Sequence, residues 1–105
     1  MQSPACMLVR AEVRDEADYK LFDAWYQNKH MPEAKEAFGI ERAWRCWSSI
    51  NPGVHHAYYE FASEAEAVAI LESDAIKALI AEFSETWGER VHRTREILKV
   101  VQRVE

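Results

Sequence analysis

Asn51-Pro52-Gly53 stands between two stretches with strand character, Ile40 to Ser48 and Val54 to Phe61. A turn tripeptide of this kind, flanked by segments rich in aromatic and β-branched residues, predicts a β-hairpin. A third segment, Met7 to Val13, alternates: Met7, Val9, Ala11 and Val13 fall on one side, and Cys6, Leu8, Arg10 and Glu12 on the other. Ile97 to Val104 alternates apolar with polar residues and predicts a last strand. Period-2 patterning cannot be satisfied on a helix, so an up-and-down helical bundle is excluded.

Between these segments the spacing turns helical. Asp15 is placed to cap a helix with Asp18 in its first turn, and Leu21, Phe22, Trp25 and Tyr26 form a stripe. Phe22, Tyr26 and His30 follow one another at intervals of four and fall along one line of that helix. Pro32 is expected to end it near Lys29 or His30, since the residue before a proline avoids the α region, and then to start a short helix through Glu33 to Phe38, stopped by Gly39. Ser63 and Glu66 make a capping box for a helix through Val68, Ala69 and Leu71. Ser73 or Asp74 caps the next, whose stripe is Ile76, Leu79, Ile80, Phe83 and Trp87, with Gly88 closing it. The order is strand, helix, strand, strand, helix, strand: an α+β, βαββαβ domain over residues 1–105, its antiparallel sheet covered by helices on one face.

The other face of such a sheet needs a partner. It is expected to carry Leu8, Arg10, one of Trp44 and Trp47, His56, Tyr58, Ile97 and Val101, and so to pair two copies of the chain. Arg10, Glu60, Lys99 and Arg103 would then be partly buried and paired. With 105 residues, 49% of them hydrophobic, the chain can bury a core unaided. Its net charge of −5 opposes a nucleic-acid surface. No run is long and apolar enough to span a bilayer, and the first six residues lack the pattern of a signal peptide. Cys6 and Cys46 have no metal spacing, and with the third strand lying between the first and second they should not bridge; a reduced, cytoplasmic setting is the default.

The string Phe22-Asp23-Ala24-Trp25-Tyr26, followed by Lys29-His30-Met31-Pro32-Glu33, resembles the aromatic pair and His-(aliphatic)-Pro-Glu signature of the dimeric α/β-barrel superfamily, closest to its EthD-like members. Arg42 to Trp47 and Glu72 to Ala75 sit where that superfamily has comparable elements. The resemblance implies a ferredoxin-like fold, two sheets joined face to face into a barrel, and a small pocket between helices and sheet. It also implies chemistry of the kind seen in cofactor-free monooxygenases, isomerases and cyclases, although fold alone does not transfer function. Haem-active relatives carry an asparagine on the first strand, where this chain offers Arg10 or Glu12.

On this reading His30 is the candidate acid/base and Tyr26 an orienting hydroxyl, against the plainer role of a capping or buried histidine for His30. Trp25, Trp44 and Tyr59 are candidate pocket walls, with Trp44, Cys46 and Tyr59 facing the helices; Arg45 could bind an acidic group or simply a carboxylate of the chain; His56 completes the ligand-binding set. His55 and His56 point to opposite faces and cannot share a metal. His92 lies in the polar run Glu89 to Glu96, read as solvated. No metal site and no cofactor are expected. The reading is a small-molecule enzyme acting on an apolar aromatic or carbonyl compound, with a non-catalytic dimeric ligand-binding or stress-related protein as the alternative.

Overall fold

A computed structural model describes residues 4–105. Strand β1 (Ala5–Val13) is followed by a helical arm: a 3₁₀ turn (Glu16–Asp18), α1 (Tyr19–Trp25), a π turn (Tyr26–His30) and α2 (Met31–Phe38). The hairpin β2 (Ala43–Trp47) and β3 (Val54–Phe61) comes next, then α3 (Glu64–Leu71), α4 (Asp74–Trp87), a 3₁₀ turn (Gly88–Arg90) and β4 (Val91–Lys99). The four strands form one antiparallel sheet in the order β2-β3-β1-β4, so β1 and β3 are central. This is the α+β, ferredoxin-like arrangement, with all helices on one face. No helix among the described residues is long and apolar enough to cross a membrane.

Local chemistry sets the ends of the elements. Asp15 accepts a hydrogen bond from the Ala17 N–H, Ser63 from Glu66 and Ser73 from Ile76. Gly39 takes φ 66° after α2. Gly53, at φ 78°, turns the hairpin back and lends its carbonyl to the Val13 N–H at 2.8 Å.

Pro32 does not end the first helix. Met31 stays in the α region, and its N–H bonds to the Tyr26 carbonyl, five residues back. Widening one turn into a π turn makes room for a proline ring that would otherwise crowd the carbonyl four residues earlier. It also corrects the phase of the inward side chains. In an α-helix, residues four apart drift by roughly 40° at each step. The wider turn takes up part of that drift, so Phe22, Tyr26, His30 and Ala34 all remain buried on one line. Leu21, expected in the stripe, is 61% exposed.

Met7, Val9, Ala11 and Val13 face the helices, as their alternation predicts, together with Ala57, Tyr59 and Phe61 of β3. β4 corrects the sequence reading twice. It begins at Val91, inside the polar run read as solvated, and ends at Lys99. Ile97 pairs with Met7 and therefore faces the helices, while Leu98 takes its place on the outer face; Val101 lies beyond the strand and is exposed. Lys99 is thereby on the helix side of the register and pairs with Glu64 at 3.5 Å. The polar run hid the strand because two inward positions are arginines, Arg93 and Arg95, opposite Ala11 and Val9.

The outer face carries Cys6, Leu8, Arg10, Trp44, Cys46, His56, Tyr58 and Leu98. Trp44 and Tyr58 stack across strands, ring centroids 5.3 Å apart and planes 12° off parallel. Glu60 pairs with both Arg42 and Arg103 at 3.1 Å, while Arg10 pairs along its own strand, with Glu12 at 3.7 Å. Both cysteines are free, on strands separated by β3.

Candidate functional site

A cavity of about 20 Å³ lies between the helical arm, α4 and the sheet. Free space of that size holds roughly one water. The helical arm contributes Tyr26, His30, Ala34 and Phe38; α4 contributes Ile76, Leu79 and Ile80; the sheet contributes Met7, Val9, Tyr59, Arg93 and Arg95. Most of the wall is apolar, and its polar groups are few: two phenols, one imidazole and two guanidiniums.

His30 is 6% exposed. Its ring is held by aromatic neighbours on three sides. Trp25 stacks on it at 4.4 Å, Tyr26 meets it edge-on at 4.9 Å, and Phe83 at 5.7 Å. Nδ1 is buried with no hydrogen-bond partner in the protein. Burial, and then the nearby Arg93 charge, push the His30 pKa down to about 4, so the imidazole is neutral at pH 7. A neutral imidazole with an unpartnered ring nitrogen can accept or relay a proton.

Tyr26 and Tyr59 are among the most deeply buried large side chains. Both line the cavity. Burial raises the Tyr26 phenol to about 12 and that of Tyr59 well above its ordinary value, so both remain O–H donors at neutral pH. Arg93 lies over the Phe83 ring with its guanidinium carbon 3.9 Å from the centroid. Burial and the charge of Arg95 lower the Arg93 pKa to about 10; burial also lowers Arg95, whose Nε has no partner.

The residues singled out from sequence therefore divide. His30, Tyr26 and Tyr59 line the cavity. Trp25 sits behind His30 and holds its ring in place. Trp44, expected to face the helices, is on the outer face with Cys46 and 42% exposed, because Ala43, Arg45 and Trp47 occupy the inward positions of β2. His56 is also on the outer face, opposite Arg10 and Cys46, and does not reach the cavity.

Arg45 points inward but is held outside the cavity. It donates to Asp23 Oδ1 at 2.7 Å and to Gln27 Oε1 at 3.0 Å, and lies 3.3 Å from His55 Nε2. Asp23 also accepts from Trp47 Nε1 at 2.8 Å. These two hydrogen bonds hold the Asp23 carboxyl below its ordinary pKa. His55, fully buried against Phe22, Tyr26 and Trp47, is pushed down to about 3 by burial and then by Arg45. This cluster buttresses Tyr26 from the side away from the cavity.

Sequence reasoning missed Arg93, Arg95, Phe38 and the α4 wall as site residues. The signal was present for the arginines: Val91, Arg93, Arg95 and Ile97 alternate with His92, Thr94 and Glu96, and arginine can hold an inward strand position on its aliphatic stem. Among the described residues no cluster of three or more metal-ligating side chains occurs.

No protein-family model matches the chain, and comparison with curated proteins finds no match. Solved structures do. An ethyl tert-butyl ether D (EthD) family protein from Bacillus halodurans C-125 aligns with TM-score 0.67 at 17% identity, over 89% of this chain and 95% of its own. A putative antibiotic biosynthesis monooxygenase from Nitrosomonas europaea gives 0.65 at 15%, over 96% and 93%. A dimeric ferredoxin-like protein from an uncultured marine organism gives 0.62 at 17%, over 98% and 100%. The chain has the fold of these proteins along nearly its whole length, and at such identities it is the fold that the likeness establishes.

Proposed function

We propose that the chain is a cofactor-independent enzyme that moves a proton on a small carbonyl compound with an apolar or aromatic body, and that it acts as a homodimer joined through the outer sheet face. The observation that carries this reading is the neutral, unpartnered His30 ring beside two protonated phenols on one cavity. His30 takes a proton from the carbon next to the carbonyl, and the electron pair of that C–H bond moves onto the carbonyl oxygen. The hydroxyl of Tyr26 or Tyr59 donates a hydrogen bond to the oxygen as its charge grows. Return of the proton to a different carbon is isomerisation, attack of the carbanion on a second carbonyl is cyclisation, and an enolate that can reduce oxygen opens the oxygenase route. Two of the structurally similar proteins, described as an EthD family protein and a putative antibiotic biosynthesis monooxygenase, are in keeping with small-molecule chemistry on this fold.

A second reading has its own support. The cavity of about 20 Å³ has room for about one water, so a substrate must displace Leu79 and Ile80, which are only partly buried. A non-catalytic dimer with a ligand pocket too small to use unaided would look the same. Exchange of α-protons in D2O, followed by proton NMR over a panel of ketones, lactones and keto acids, separates the two. Turnover that His30→Gln abolishes and Tyr26→Phe weakens supports the enzyme. Absence of exchange across the panel, or exchange indifferent to His30→Gln, favours the binding protein.

A further inference from the structure

Every arginine of the described chain except Arg14, Arg93 and Arg95 meets a carboxylate. Arg10 pairs with Glu12, Arg42 and Arg103 with Glu60, Arg45 with Asp23, and Arg90 with Asp18. Arg14 is exposed and needs no partner. Arg93 and Arg95 are different. They stand two residues apart on β4, on the same inward face, opposite Ala11 and Val9 and close to Met7 and Tyr59 in the cavity wall. Both border the cavity, neither is fully exposed, and neither makes an ion pair or side-chain hydrogen bond among the described residues. The chain has 18 acidic residues and a net charge of −5, yet none of those carboxylates pairs with these two cations.

Two like charges side by side under a layer of helices cost stability unless something of opposite sign joins them. Within the chain the cost is only partly met, by Phe83 under Arg93. The remaining donors of the cavity, the Tyr26 and Tyr59 hydroxyls, also offer hydrogens to an acceptor, and the unpartnered Arg95 Nε adds another. The wall therefore presents cationic and neutral donors and no anionic group.

We propose that this cavity, once Leu79 and Ile80 move outward, takes a small organic acid, its carboxylate received by Arg93 and Arg95 and its apolar body lying between Phe38 and the displaced Leu79 and Ile80. A planar guanidinium fork matches a planar carboxylate, and the apolar wall suits a carbon skeleton better than a phosphate. The assignment rests on the reading of the cavity as a ligand site and names the class of compound: a keto acid in place of a neutral ketone, with an aromatic acid able to bind but not to react. The carboxylate anchors the molecule on the β4 side, and His30, on the helical arm across the cavity, is left to act on the carbon next to its carbonyl.

The test is calorimetric titration of the full chain with pyruvate and benzoate, each set against its neutral amide, pyruvamide and benzamide. The acids should bind saturably and the amides roughly 10- to 100-fold more weakly, the range expected for loss of a charge-assisted partner. Arg95→Gln and Arg93→Gln should weaken the acids by a similar factor, Arg95→Lys by less, and Arg42→Gln, a surface arginine paired with Glu60, not at all. Arg95→Gln should also melt no lower than the native chain, because it removes a charge without a counter-ion. Amides that bind as well as acids, with no dependence on Arg93 or Arg95, would overturn the organic-acid assignment and leave the ligand site standing. Failure of acids and amides alike would overturn both. The comparison of acid with amide is made on the native chain and does not depend on the variants folding.

Discussion

The His30 imidazole lies flat against the Trp25 indole, 4.4 Å between centroids and 15° between planes. Residues five apart do not stack on an α-helix, where side-chain neighbours are three and four apart. They meet here because the turn from Tyr26 to His30 is a π turn. The same widening faces His30 toward the cavity with its ring fixed.

Pro32 provides a reason for the π turn, so Pro32→Ala should let the segment tighten toward an α-helix and rotate His30 away from Trp25. Helicity by circular dichroism and the melting temperature should stay level or rise. Any His30-dependent proton exchange should fall, on the order of 10²-fold for an ångström-scale misplacement of a catalytic group. Unchanged exchange in a folded variant would show that the π turn does not position the histidine.

Acid should weaken the protein before its carboxylates are titrated. His30 and His55 are held at about 4 and 3 by burial, with Arg93 and Arg45 adding to the effect, whereas an unfolded histidine titrates near 6.5. Between about pH 4 and 6.5 the unfolded chain binds protons that the folded chain refuses, so stability rises with pH through this window and is lost as pH falls. The His30 contribution is about 3 kcal/mol over the window. Urea unfolding of His30→Gln at pH 7 and pH 4.5 should therefore show a smaller difference than the native chain, with the residue of the slope left to His55.

Phe83 touches Phe22, Trp25, His30 and the Arg93 guanidinium and is 2% exposed. Phe83→Ala should cost about 3–5 kcal/mol in urea unfolding, the range for a buried aromatic truncation. A loss below about 1 kcal/mol would mean that α4 does not pack as described.

The backbone plan was legible in the sequence where one physical rule acted alone. The Asn51-Pro52-Gly53 turn, the alternation of Met7 to Val13 and the stripe of α4 each had one solution. Pro32 misled because the rule against helix before proline was met by widening a turn, an option that depends on tertiary packing of Phe22, Tyr26, His30 and Ala34 on one side. β2 has a tryptophan on either face, and alternation alone cannot choose between them. The choice was made by Asp23, 22 residues from Arg45 and 24 from Trp47, which binds both and so turns their side inward. The cavity was half legible: its tyrosine and histidine fell on a recognisable line, but Arg93 and Arg95 looked like solvent-facing charge because inward arginines break the pattern that identifies a strand.

Gly53 should not tolerate a side chain. Its φ of 78° suits glycine, and a Cβ there would lie 2.6 Å from the Val13 carbonyl oxygen and 2.7 Å from the Tyr19 hydroxyl. Backbone cannot step aside as a flexible side chain can. Gly53→Ala should destabilise by more than about 1 kcal/mol, which thermal melts would register as a drop of several degrees. The effect should be structural only: acid binding, if present, should keep its affinity below the melting range.

The outer sheet face is where the proposed dimer would join. Leu8, Tyr58, Leu98 and the half-exposed Trp44 share that face with Arg10 and His56, and no helix among the described residues covers it. Burying such aromatics against a second copy stabilises a dimer, and a charge placed among them opposes it, because the carboxylate would lose its water without gaining a partner. Tyr58 is central, stacked on Trp44 and 6.4 Å from His56. Light scattering on a sizing column should give the mass of two chains for the native protein and of one chain for Tyr58→Glu, with the circular dichroism of the variant unchanged. A native protein that elutes as one chain at micromolar concentration would rule out the face-to-face barrel, and the exposed stack of Trp44 on Tyr58 would then be a feature of the monomer surface.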